Sequence, residues 1–254
     1  MKKVASILLV ASLVLTSLFV LDSCSTSRKA ANNVTSNAAN NVASNAPNYN
    51  QIKKAVETKG SEFYYPELLR RFEAADTTLT AEQIHYFYYG TATRPEFDPF
   101  QSEHVAYALL KEELKGDTLT EENWKQAAEI VEKYLDEDPT NLGFHIYKQN
   151  VYFELYGEES EEAYNAYIQV VMLYSAIAST GDGKSQETAF HVICVSDEYA
   201  LMRMFGFSPK SQALLEKKGR SYDRMDLEEN EYGLEALYFD ITVSFEAMNK
   251  MFGH

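Results

Sequence analysis

The sequence predicts a mainly α-helical chain with a small α+β C-terminal part, in which tetratricopeptide-like helical hairpins are followed by a short antiparallel sheet. Three observations carry this. Apolar residues between 121 and 178 recur at helical spacing. Two later stretches, "AFHVICVS" and "LEALYFDITVSF", are rich in β-branched and aromatic residues. Between the two regimes lies Gly181-Asp182-Gly183, which stops a helix and turns the chain.

The chain opens "MKKVASILLVASLVLTSLFVLDSC". Two lysines precede an uncharged, mostly apolar run from Val4 to Leu21, the layout of a secretory signal. That run approaches the roughly 20 residues needed to span a bilayer core, so a retained helix and plain secretion stand as alternatives. Leu21-Asp22-Ser23-Cys24 resembles the lipobox of bacterial lipoproteins, whose cysteine is diacylated and becomes the new N-terminus. Asp22 departs from the small residue usual at its position. Cys24 is the expected lipidation site and the membrane the expected partner, since each acyl chain contributes about 0.8 kcal/mol per buried CH₂. Residues 1–23 read as the signal. Residues 24–49, rich in Asn, Ala and Ser, read as a tether with too little apolar surface to offset its ordering entropy. A flexible chain of about 25 residues spans roughly 25–30 Å.

The remainder is long enough for one sizeable core. The whole chain carries 23 basic and 38 acidic residues, and 45% of it is apolar. So acidic a domain repels phosphate backbones, which argues against nucleic acid as a partner. With Cys24 lipidated, Cys194 is left alone, so no internal disulfide is expected and packing must hold the domain together.

Residues 50–180 read as a helical-repeat-like region. In "LTEENWKQAAEIVEKYLDEDP", Trp124, Ala127, Ala128, Val131, Tyr134 and Leu135 line one helical face, with Thr120 as cap and Pro139 beyond the end. "NLGFHIYKQNVYFELYG" gives a second helix closed by Gly157, and "SEEAYNAYIQVVMLYSAI" a third. Ala127, Val131, Tyr134 and Pro139 sit at the spacings of a tetratricopeptide second helix, and ordinary antiparallel helices are the alternative. Upstream, Thr80 and Gln83 have the form of a capping box.

Residues 181–254 read as a small α+β region. Its Gly183-Lys184-Ser185 invites comparison with a phosphate-binding loop, but position 178 holds Ala where the motif needs Gly. The order is also helix, loop, strand, the reverse of what a phosphate cradle at a helix N-terminus requires. No nucleotide and no other cofactor is expected. "AFHVICVS" is expected to be a strand with His191, Ile193 and Val195 on one face and Val192 and Cys194 on the other. "SDEYALMRMFGF" is then a short helix capped by Ser196 or Asp197, "SQALLEKKGRSYDRMDLEENEYG" a turn-rich stretch, and "LEALYFDITVSF" a second strand-like segment.

Three separated stretches, "EFYYPELLRRF…DTTLT…HYFYYG", "GDGKSQETAFHVICVSDEYALM" and "LEENEYGLEALYFDI", resemble the domain of unknown function catalogued as family 4919, found mainly in Bacteroidetes. The resemblance covers nearly the whole chain after the tether. It implies an exported or lipid-anchored envelope protein and carries no activity with it. In that setting Ser25-Thr26-Ser27-Arg28-Lys29, lacking acidic residues after Cys24, points to the periplasmic face of the outer membrane.

Chemistry is sparse. His85, His104, His145, His191 and His254 form no local metal-binding spacing, no metal is expected, and no catalytic residue is assigned. His191 reads first as a hydrogen-bonded core histidine, and Asp197 with Glu198 as a helix cap plus a solvated charge. Tyrosine offers an apolar face and a polar tip. On the helix holding "HYFYYG", Ile84, Phe87 and Tyr88 are expected to point inward; Tyr86 and Tyr89 lie further round, read first as packed against neighbouring helices and alternatively as lining a groove. The first functional expectation is a non-catalytic envelope module binding a protein or peptide through that groove. The alternative is an envelope hydrolase or glycan-binding protein with a site between helices and sheet, near His85, Tyr89, His191 and Glu198.

Overall fold

The computed structural model describes residues 45–99, 103–116 and 118–253. The signal, Cys24 and most of the tether lie outside the described residues. Among the described residues seven helices come first: α1 (Tyr49–Glu57), α2 (Tyr65–Glu73), α3 (Ala81–Thr91), α4 (Glu103–Glu113), α5 (Glu121–Glu137), α6 (Leu142–Tyr156) and α7 (Glu161–Ala178). After a 3₁₀ turn (Gln186–Thr188) follow β1 (Phe190–His191), α8 (Val195–Met204), β2 (Pro209–Lys217), β3 (Arg220–Leu227), β4 (Ala236–Asp240) and α9 (Thr242–Phe252). The described chain is thus mainly helical with a small C-terminal sheet.

Local chemistry sets the helix ends. The Thr80 hydroxyl accepts the Gln83 amide while the Gln83 side chain accepts the Thr80 amide, the reciprocal capping box read from the sequence. Thr120 and Asn123 repeat the device at the start of α5. Gly157, at φ +90, closes α6. Helices α4 to α7 each pack on the next. Ala127, Val131 and Tyr134 of α5 meet Phe144 and Val151 of α6 and Leu110 of α4 in one cluster. A larger cluster joins α1, α2, α3 and α7 to the inner face of the sheet and α8.

The strand order is β1-β4-β3-β2. β1 runs parallel to β4, whereas β4–β3 and β3–β2 are antiparallel, so the sheet is mixed and not the antiparallel one expected. β1 is also far shorter than "AFHVICVS" suggests. The Val192 amide still reaches Asp240 O, but the Ile193 amide turns to the Tyr88 hydroxyl, and α8 begins at Val195. Its N-cap is Cys194 with no side-chain cap bond, in place of Ser196 or Asp197. The "turn-rich" stretch is the β2–β3 hairpin, closed by Lys218 and Gly219 at φ +53 and +75, the signs of a two-residue type I′ turn. Residues after Asp240, expected to extend a strand, form α9, where Asp240 Oδ1 accepts both the amide and the hydroxyl of Thr242.

The Gly-Asp-Gly turn has a packing explanation. A Cβ on Gly181 would lie 2.1 Å from Thr188 O, and one on Gly183 would lie 2.5 Å from the Phe190 ring. The Asp182 and Gly183 amides both donate to Thr188 O, the Lys184 amide to Asp182, and Gly183 O accepts from Tyr238 N. Backbone donors that a phosphate would need are already used within the turn, and the Gly183 carbonyl ties it to β4.

Candidate functional site

The chemistry-bearing side chains gather where α3 meets the sheet and α8. Helix α3 is enclosed by α1, α2, α7 and the residues around β1, so its tyrosines do not present a groove. Tyr86 is buried, stacked on Phe63 at 4.1 Å, and its hydroxyl accepts from Gln51. Tyr89 is 0% exposed and donates to His191 O at 2.8 Å. Tyr86 and Tyr89 are therefore packed against neighbouring elements, the first reading, and not lining a groove: α3 packs on more than one side, with only Ala81 and Glu82 exposed and His85 half-buried.

Sheet register divides the expected site residues. His191 pairs with Asp240, and Asp240 with Tyr222, so these three share one face. Phe190, Phe239 and Asp223 share the other. On the first face Arg220 Nε donates to Asp240 Oδ2 at 2.5 Å, and an Arg220 terminal nitrogen lies 3.3 Å from His191 Nδ1. Tyr49 and His85 approach from α1 and α3, each with its ring beside Tyr89. Burial lowers His85 and His191 to about 4, and the neighbouring Asp240 partly counters this at His191. Both imidazoles are neutral at pH 7. His85, Tyr89 and His191 are thus brought together, and His191 is the buried, hydrogen-bonded core residue first expected.

Glu198 lies on the opposite side. Neither it nor Asp197 is a solvated charge: both are 0% exposed. Asp197 accepts from Tyr88 at 2.5 Å and from the Leu142 amide at 3.0 Å, so it joins α3, α6 and α8. Burial raises it to about 7, while the Tyr88 and Cys194 hydrogen bonds pull the other way. No conventional donor reaches either Glu198 oxygen. Burial, then Asp223, then Asp197 raise its pKa well above the usual carboxylate range. Asp223, itself raised by burial, lies beside Glu198 and accepts from Gln212 Nε2 at 2.6 Å. Tyr199 donates to Gln212 in turn. The result is a pair of acids behind the hairpin, closed by two neutral side chains.

The chain belongs to the family described as Domain of unknown function (DUF4919), whose model matches residues 50–250. No curated protein and no solved structure matches it. In this DUF4919 domain a shallow cavity of about 30 Å³ lies against Thr91, Arg94, Phe97, Asp138, Ile193 and Cys194, room for a water or two. Cys194 lies beside Ser196 at 3.1 Å and bonds to Asp197. Among the described residues no three histidine, cysteine or carboxylate side chains are grouped to hold a metal ion. Also among them, no helix is long and apolar enough to cross a membrane. Sequence reasoning missed Asp223, Gln212, Arg220 and Asp240, because only the register of strands it did not foresee brings them into these clusters.

Proposed function

We propose that this DUF4919 protein is a lipid-anchored cell-envelope protein, acylated at Cys24, that works as a non-catalytic module binding a protein or peptide. The observation that carries this reading is a contrast within the domain. At the helix–sheet junction each acid and imidazole faces a side chain or backbone group of its own chain, and the cavity nearby holds little more than water. On the outside, strand β2 is exposed along almost its whole length. An open strand edge offers a row of backbone donors and acceptors to another chain. The tetratricopeptide-like spacing of α5 and Pro139 belongs with this reading, with the stacked helices α4 to α7 carrying the sheet away from the membrane.

The test joins anchoring to binding. Cells expressing the tagged full chain are fed labelled palmitate, cross-linked, and the retained proteins identified by mass spectrometry. Expected are label on the wild type, none on Cys24→Ser, and a reproducible cross-linked species that maps to β2. Label that persists on Cys24→Ser, or no cross-linked species above background, overturns the reading.

A further inference from the structure

The partner at the open edge can be inferred from the strand itself, resting on the reading of β2 as the binding surface. β2 ends the sheet, and its burial pattern is exposed at every residue except the half-buried Leu215. The two-residue turn fixes which backbone groups point outward. Lys217 and Arg220 flank the turn and bond to each other, so Ser211, Ala213, Leu215 and Lys217 direct their amides and carbonyls to β3. Those of Gln212, Leu214 and Glu216 point away from the sheet. Among the described residues no backbone bond from elsewhere in the chain reaches them.

We propose that β2 pairs with β2 of a second copy, antiparallel, about a two-fold axis at Ala213. In that register Gln212 faces Leu214, Ser211 faces Leu215, and Lys210 faces Glu216, each twice. The outward backbone groups of one copy then meet the outward groups of the other, since Gln212–Leu214 falls on a hydrogen-bonded pair and Ala213–Ala213 on a non-hydrogen-bonded one. Shifting the axis to Gln212 or Leu214 keeps the ladder but loses both Lys–Glu pairs. A parallel, in-register partner sets Lys210 on Lys210 and Glu216 on Glu216, which is repulsive. Both side chains are exposed, and among the described residues neither makes an ion pair within the chain, whereas Lys217 is already paired with Glu187. Lys210 stands at the register shift between Pro209 and Ser211 that breaks its pairing with β3, so it is free to turn to the neighbouring strand.

The small residue at the axis lets the two backbones approach, and Leu214, 51% exposed in the monomer, gains cover from the partner's Gln212. The contact is isologous and closes on itself, so it gives a dimer and not a fibre. Two tethered copies in one membrane plane meet at high effective concentration, which lets a short ladder suffice.

Disulfide trapping of the full chain in its own membranes tests this. Cα atoms of a non-hydrogen-bonded antiparallel pair lie about 4.5 Å apart, within disulfide reach. Under mild oxidation Ala213→Cys should give a disulfide dimer at least ten-fold more abundant than Gln212→Cys or Leu214→Cys. In the Ala213→Cys background, Lys210→Glu and Glu216→Lys should each lower trapping at least five-fold, and the double exchange should restore it. Thermal melts of each variant check that the fold is intact, which this exposed strand permits. Equal trapping at all three positions, or no restoration by the double exchange, overturns the two-fold pairing. A disulfide or cross-link from β2 to a different protein also overturns it, yet leaves the binding-module reading standing. No product of any kind from β2 removes both.

Discussion

The two edges of the sheet are treated in opposite ways. At β1 the chain closes the edge with side chains: Tyr89 donates to His191 O at 2.8 Å, and the His191 amide donates to Thr180 Oγ1 at 3.0 Å. At β2 nothing equivalent is present among the described residues, and the strand stands in solvent. A buried backbone group left unpaired costs about 1–3 kcal/mol, so an edge inside the protein must be sealed while one outside can use water. The difference teaches where this domain keeps its polar groups satisfied by itself and where it leaves them to another molecule.

The largest effect should come from breaking the sealed edge. Tyr89→Ala removes a fully buried ring packed against Tyr49, Tyr88 and His85 and also frees His191 O. Loss of a buried aromatic to alanine costs about 3–5 kcal/mol. Tyr89→Phe keeps the ring and removes only the donor, which should cost about 1–3 kcal/mol. Urea unfolding of the three proteins measures both. If Tyr89→Phe is neutral, water replaces the hydroxyl and the edge is not sealed as described.

The next effect lies behind the open edge. Glu198 has a folded-state pKa raised above its unfolded value of about 4.3 by burial and by Asp223, so the folded protein holds a proton that the unfolded chain releases. Stability from this group is full below about pH 4.3 and falls as pH rises towards the folded value. Glu198→Gln keeps a neutral donor facing Asp223 and has no proton to lose. The advantage of the variant over wild type should therefore grow with pH above about 4.3, by at most about 1.4 kcal/mol per unit. The buried histidines act with the opposite sign. His85 and His191 at about 4 and His145 at about 3, all lowered by burial, favour the fold above about pH 6.5 and weaken it as pH falls. They are common to both proteins and cancel in the difference. A variant whose advantage stays flat between pH 5 and 8 would show that Glu198 ionises freely and that the acid pair is wet.

Much of the helical half was legible because its signals are local. Thr80 with Gln83, Thr120, Pro139 and Gly157 mark ends through bonds or backbone angles within a few residues, and the α5 stripe follows one helical period. The sheet was less legible for identifiable reasons. β2 is exposed on both faces, so no alternation betrays it, and its turn at Lys218-Gly219 lies within a stretch read only as turn-rich. β1 ends after two residues: the Ile193 amide bonds the Tyr88 hydroxyl, more than a hundred positions away in sequence, and α8 begins at Val195. Burial of Glu198 is of the same kind. A Glu beside an Asp at a helix start reads as solvated until Asp223 arrives from a strand that lacks a clear pattern.

The smallest effect belongs on the open edge and gives the comparison its sharpest form. Leu214 keeps half its surface exposed, so little apolar area is removed from water when the monomer folds. Threonine suits a strand position and removes the apolar reach of the side chain. Leu214→Thr should therefore shift stability by no more than about 0.5 kcal/mol when the protein is measured dilute, where self-association does not contribute. On the sealed side of the same sheet Phe239, paired with Phe190 and fully buried, has no such latitude, and truncating it to alanine removes packing on both neighbouring strands. A loss from Leu214→Thr above about 1.5 kcal/mol in dilute solution would mean that β2 is covered by its own chain. The sheet would then have two sealed edges, and the contrast between them would disappear.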